Sequence, residues 1–289
     1  MSELLITPRH AWQPITPRGA AAFAAAPLSR LLLVQFIVAL LVAATVVAFV
    51  SSEWFPVVRD AAQRLPNAGA IRSGTLQWAT NAPVRLAEGR RLALSVEPNE
   101  ARLPGGAADV EVSLHDTNFQ VSSWLGYVEL PYPSGWTISL TRAEAVPWWG
   151  AWEWPLRWLL AAAVVIVLMP SWWMLAAVYC ALAKASAFYA NRRLGWWESW
   201  KLSGAALMPG AFVVMVAILG YGWLGLDLIQ LGLFFILHVV TGWLYLVASP
   251  FFLPKDTEAP SITPNPFAAP ESADTEIVSE QENPFAEPD

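Results

Sequence analysis

Asp227 and His238 stand 11 residues apart in a stretch otherwise built mostly of Leu, Ile, Phe and Val. At 100° per residue, a helix leaves them only about 20° apart around its axis. Gln230, Thr241, Tyr245 and Ser249 fall within roughly 60° of the same direction. Lipid cannot hydrogen-bond such a stripe, so it has to face a helix bundle or a wet cavity. Ionisable residues inside a membrane are candidates for proton or ion relays. Here the inventory argues against one: His238 is the single titratable side chain near mid-span, Asp227 sits at the outer boundary, and no second carboxylate faces the imidazole. An interhelical hydrogen-bonding seam is the expectation. A small ion-coupled transporter working through this stripe is the alternative.

A second candidate is the duplicated tripeptide Asn265-Pro266-Phe267 and Asn283-Pro284-Phe285. Asn before Pro favours a turn, which would hold each Phe exposed on an otherwise solvated chain. These are candidate docking motifs for a cytoplasmic partner, weighed against simple duplication of a tolerant linker.

Enzyme readings fail on inventory. Residues 51–157 contain no Lys for a Ser-Lys dyad. His115-Asp116 reads as turn chemistry within one loop. No His or Glu cluster has zinc-ligand spacing. Gly105-Gly106 and the glycines between 220 and 225 lack the strand and helix that flank a phosphate loop. Arg90-Arg91 is expected at a solvated strand edge. The single cysteine, Cys180, permits no internal disulfide. No catalytic, cofactor-binding or metal residue is assigned, no cofactor is expected, and the protein reads as non-enzymatic.

The elements that must position these residues are apolar spans. A bilayer core about 30 Å thick needs roughly 20 mostly apolar residues per helix. Residues 31–50, 158–183, 202–222 and 224–253 all reach that length. Over the 289 residues, 56% are hydrophobic and 14% charged, against roughly 25% charged in an ordinary soluble domain. Many of the 17 Trp lie beside the spans, where an amphipathic ring suits the headgroup layer. The expected fold is an α-helical membrane protein of four transmembrane helices with a small β-rich extracytoplasmic domain, residues 51–157, inserted between helices 1 and 2. Residues 1–30 are expected as a mobile cytoplasmic tail and 184–201 as a cytoplasmic loop that carries an amphipathic turn or in-plane helix. Residues 254–289 are expected as a disordered acidic tail. That tail holds −8 of the net charge of −6, which leaves +2 on the remainder. The acidity therefore implies no nucleic-acid partner.

Orientation follows the positive charge of the short loops. Arg9, Arg18 and Arg30 precede the first span, and Lys184, Arg192, Arg193 and Lys201 join the second to the third. The third-to-fourth connection has none, and Lys255 follows the last. Both termini are expected in the cytoplasm of a bacterium, with the protein multi-pass in its inner membrane. Small residues spaced by four, Ala39 and Ala43, Ala44 and Ala48, and Ala206 and Gly210, allow close helix approach. Pro170 predicts a kink in the second span. In the insert, residues 54–64 can continue the first helix beyond the membrane. Alternation then marks strands at Val84 and Leu86, at Leu92, Leu94 and Val96, and at Val110, Val112 and Leu114. A hairpin loop at residues 115–118 leads to Phe119 and Val121, and residues 125–130 and 136–140 supply two more candidates. The whole is expected to be mainly antiparallel and to lean on the membrane or the helix ends.

Several stretches resemble one known family. They are Leu65-Pro66, Ile71-Arg72-Ser73-Gly74-Thr75-Leu76, Ser95-Val96-Glu97-Pro98, Leu125-Gly126-Tyr127-Val128-Glu129-Leu130-Pro131-Tyr132 and Trp200-Lys201-Leu202-Ser203-Gly204-Ala205. Over roughly residues 50–250 the chain is similar to a family of bacterial multi-span membrane proteins associated with maltodextrin-utilisation operons. That family has an extracytoplasmic insert after the first helix and no established catalytic residues. The resemblance implies the same architecture and an accessory role beside a transporter. The expected function is accordingly that of an accessory or scaffold protein of an envelope or transport complex. Its expected partners are the lipid bilayer, another membrane protein and a cytoplasmic protein met by the tail.

Overall fold

The computed structural model describes residues 13–100, 103–104 and 106–255. Four helices are long and apolar enough to cross a membrane: Leu28–Arg64, Arg142–Tyr189, Trp196–Leu224 and Leu228–Phe252. This is the make-up of a multi-pass membrane protein. A short helix, α1 (Pro17–Ala22), precedes them, and eight strands fall between the first and second of the four.

The first long helix runs as α2 (Leu28–Phe49), a π turn over Val50–Trp54, and α3 (Phe55–Arg64). Pro56 explains the π turn. It has no N–H to offer the carbonyl four residues back, and its ring would clash there. The chain takes one wider turn, in which the Phe55 N–H bonds to the Val50 carbonyl. The strands begin only at Gly69, after α3.

Strands β1 (Gly69–Arg72), β2 (Thr75–Trp78) and β8 (Thr137–Ser139) form an antiparallel sheet in the order β2-β1-β8. The β1–β2 turn uses Ser73 and Gly74 at positive φ, the backbone that a tight two-residue hairpin requires. A five-stranded sheet has the order β3 (Val84–Glu88), β4 (Leu92–Val96), β5 (Val110–Leu114), β6 (Asn118–Ser123) and β7 (Gly126–Pro131). The pairs are antiparallel except β4–β5, which is parallel. The core of this domain is shared with α3: Val57 and Ala61 pack with Ile71, Leu76, Leu86, Leu92 and Val96. An amphipathic extension of the first span thereby supplies the apolar face that eight short strands need in order to hold together.

After β8 the chain enters α4 (Arg142–Tyr189), 48 residues long and containing Pro147, Pro155 and Pro170. At 1.5 Å per residue it reaches about 72 Å, more than twice the thickness of a bilayer core. Its first turns brace α3. Phe55 meets Trp149 edge to face at 5.1 Å, and Glu153 accepts from Arg59 at 2.8 Å and from Arg157 at 2.6 Å.

The third span breaks at Leu207 into α5 (Trp196–Ala206) and α6 (Met208–Leu219), with Pro209 in the first turn of α6. It is the most enclosed of the four. A π turn over Gly220–Leu224 ends it at Gly225, which has φ +75°. The last span is α7 (Leu228–Ala248) followed by a 3-10 turn over Ser249–Phe252.

Several expectations are corrected here. From Gln13 onward the N-terminal lead-in is ordered: Ala20, Ala21, Ala22 and Phe23 are buried, packed beside Leu31, Leu202 and Ala205. Small side chains let this segment lie close against α5. Residues 184–201 hold the end of α4, which continues to Tyr189, and the start of α5 at Trp196. Of the small-residue pairs in α2, Ala39 and Ala43 are buried whereas Ala44 is exposed.

Candidate functional site

The polar stripe of α7 lies as follows. Asp227 is the N-cap: its Oδ1 accepts from the Gln230 N–H at 2.7 Å, and Gln230 Oε1 accepts from the Asp227 N–H at 3.0 Å. This reciprocal pair closes the helix start and sets a carboxylate at its positive end. His238 Nδ1 donates to the Phe235 carbonyl, and Thr241 Oγ1 donates to the Leu237 carbonyl at 2.8 Å. Tyr245 reaches another segment, its hydroxyl donating to the Ile15 carbonyl. Ser249 is buried. Four of the six residues therefore make a hydrogen bond within their own helix, and among these bonds only the Asp227–Gln230 pair joins two residues of the stripe. Contact between α6 and α7 is made by backbone: a Cβ on Gly210 would sit 2.8 Å from the His238 carbonyl oxygen.

The densest polar constellation lies elsewhere, where the β domain meets the end of the α6–α7 hairpin. Arg91 is only 2% exposed. Its Nη1 meets Asp109 Oδ2 at 2.6 Å. Its Nη2 donates to the carbonyls of Tyr221, at 2.5 Å, and Leu226, at 2.6 Å. The guanidinium also lies 3.7 Å over the Tyr221 ring, and the Tyr221 hydroxyl donates to Asp109 Oδ2 at 2.6 Å. Next to it, Arg90 Nη2 donates to the Gly225 carbonyl at 2.6 Å. A helix that ends in a π turn and a left-handed glycine leaves carbonyls without intrahelical donors, and the two arginines supply the missing donors. Arg91 is therefore a buried clasp and not the solvated strand edge expected from the sequence. The expectation failed because its partners lie 130 and 135 residues further on.

A second internal cluster sits deep in the bundle. Gln35 is wholly buried; its Nε2 donates to the Gly204 carbonyl at 3.3 Å and its Oε1 accepts from Trp173 Nε1 at 3.1 Å. One amide thus ties α2 to α5 and α4. A lone Gln in an otherwise apolar span was the available signal for it. Toward the end of the bundle away from the β domain, Lys201 Nζ donates to the Ala26 carbonyl at 2.8 Å, and Arg192 Nη1 donates to that of Leu253 at 2.5 Å.

In the β domain, Tyr132 donates to the His115 carbonyl at 3.0 Å, and burial, aided by the Asp116 charge, pushes its phenol upward from the usual range. His115 and Asp116 belong to the β5–β6 loop, where the His115 N–H bonds to the Asn118 carbonyl at 2.9 Å. A cavity of about 510 Å³ opens between α3, β8 and the start of α4, lined by Val58, Ala62, Leu65, Leu94, Ile138 and Trp148 among others. Its size suits a small ligand. Apart from Glu144 and Ser139, however, its walls are apolar side chains that offer no convergent reactive groups. Among the described residues no set of three or more His, Cys, Asp or Glu could hold a metal ion. The docking tripeptides Asn265-Pro266-Phe267 and Asn283-Pro284-Phe285 lie outside the described residues.

No family model matches the chain, and no curated protein or solved structure matches it.

Proposed function

We propose that this protein is a non-enzymatic accessory or scaffold subunit of an envelope or transport complex in a bacterial inner membrane. In this reading both termini are cytoplasmic and the β domain is outside. The observation that carries it is the clasp of Arg91, Asp109 and Tyr221. It fixes a folded domain to the end of a membrane hairpin through a buried charge, an arrangement suited to holding a surface in place. The edge position of β7 supports the same reading. Among the described residues one side of that strand has no neighbour in its sheet, and Tyr127, Val128 and Leu130 are exposed on it, which suits strand-to-strand pairing with a partner. Charge supports the orientation: Lys184, Arg192, Arg193 and Lys201 gather where α4 passes into α5, whereas the α6–α7 connection has no Lys or Arg. The resemblance to proteins of maltodextrin-utilisation operons agrees with an accessory role, and the tail tripeptides would recruit a cytoplasmic partner.

The test combines two measurements. Affinity purification from native membrane is expected to bring down other membrane subunits. The purified chain in liposomes is expected to be inert to proton and solute flux. Flux from the chain alone, abolished by His238→Gln, would overturn the scaffold reading in favour of a transporter.

A further inference from the structure

The β6–β7 turn carries Trp124 and Leu125, which are 60% and 79% exposed. No charged residue occurs from Ser122 to Tyr127. Bare Trp and Leu at a hairpin tip leave apolar area in water unless something covers it. The strand register says where the tip is. Leu92 pairs with Val110, Val110 with Ser123, and Ser123 with Gly126. The starts of β4 and β5 and the β6–β7 turn therefore form one row along a single end of the sheet.

That end is the one held against the spans. Arg91, just before β4, grips the Tyr221 and Leu226 carbonyls, and Asp109, just before β5, accepts from the Tyr221 hydroxyl. Gly89, in the turn before them, lies against Val57 and the Glu53 carbonyl at the end of the first span. Two adjacent strand starts and the preceding turn all rest on helix ends, and the same edge continues to the tip. At about 4.8 Å per strand, β7 lies roughly 14 Å to the side of β4. This carries the tip past the hairpin beneath while keeping it on the edge that faces the helix ends. Trp223 and Leu224, on the α6–α7 connection that Arg90 and Arg91 grip, are likewise 63% and 82% exposed, so the helix ends facing this edge also carry bare apolar side chains.

We propose that Trp124 and Leu125 insert into the headgroup–acyl boundary of the bilayer that the four helices cross, as a second membrane contact made by the β domain itself. Trp is at home at that depth, with its ring body apolar and its N–H wet. The inference rests on the helices crossing a bilayer and is independent of the scaffold role.

The full chain with Cys180→Ala provides a cysteine-free background. Leu125→Cys and, at the opposite end of the sheet, Thr117→Cys are each labelled with an environment-sensitive fluorophore. The proteins are placed in phosphatidylethanolamine–phosphatidylglycerol nanodiscs, one copy per disc. The expected result at position 125 is blue-shifted emission, quenching by lipids with a nitroxide high on the acyl chain, and several-fold weaker quenching by iodide than at position 117. Iodide access equal at the two positions, or equal nitroxide quenching at both, would overturn the proposal. So would protection at 125 that appears only in discs holding two copies, because a second chain would then be the cover. Trp124→Cys gives the same readout on the same tip should Leu125→Cys fail to yield folded protein.

Discussion

At the scale of single residues, the energetics centre on a charge buried away from water. A buried ion pair adds little compared with apolar packing, but removing one partner strands the other at a cost of about 3–5 kcal/mol. Asp109→Ala is therefore expected to destabilise the docked β domain by that amount, read as a shift in denaturant midpoint and as new proteolysis near residue 225. Tyr221→Phe keeps the ring beneath the guanidinium and loses one hydroxyl bond to a carboxylate, so its cost should be about 1.5–3 kcal/mol, below that of Asp109→Ala. Glu88 gives a pH signature. The Ala107 N–H at 2.8 Å, together with Arg85 at 2.9 Å, holds its carboxyl below the ordinary value of 4.5. A carboxyl lowered on folding stabilises at pH values above its unfolded pKa, and that contribution is lost as pH falls through the folded pKa. Acid melting curves of Glu88→Gln should lack this component, and a carboxyl carbon titration by NMR should place Glu88 below free glutamate.

At the scale of elements, the spans and the strands from Val84 onward were legible because their periodicities are local, whereas β1 and β2, four residues each, were not. Some 20 apolar residues in a row and the alternation from Val84 to Leu130 are both readable from neighbours alone. What escaped depends on distance or on the absence of pattern. Alternation carries no direction, so the parallel pairing of β4 with β5 left no trace. The helix α1 has six residues, too few to show a period, and its alanines resemble a linker until α5 lies against them. Arg90-Arg91 beside a glycine resembles any exposed turn. The α7 stripe shows the reverse case: its angular alignment is real arithmetic, yet Asp227, Gln230, His238 and Thr241 make their hydrogen bonds within their own helix. The contact that matters between α6 and α7 is the missing side chain of Gly210. Gly210→Val should force these helices apart and cost about 1–3 kcal/mol as overpacking, read as a lower melting temperature in detergent, whereas His238→Gln should leave that temperature unchanged.

At the scale of the whole molecule, the four spans are unequal partners. The third and first are the most enclosed, whereas the second and fourth present broad apolar faces outward. The basic connections collect at one end of the bundle and the β domain at the other. The expected topology is checked in the Cys180→Ala background: cysteine at position 88 should react with a membrane-impermeant maleimide in intact cells, and cysteine at position 193 only after lysis. Labelling in the opposite sense would invert the orientation proposed for every polar segment.

The clasp also sets an order of events during synthesis. Arg91 leaves the ribosome 130 residues ahead of the Tyr221 carbonyl that it grips, so that guanidinium stays hydrated for as long as the hairpin is missing. Its final seating waits for the last hairpin to enter the membrane. A chain truncated before residue 221 would then keep the domain's packing on α3 but lack the grip of Arg90 and Arg91 on the hairpin, so added protease resistance beside these arginines would serve as a timestamp for completed assembly.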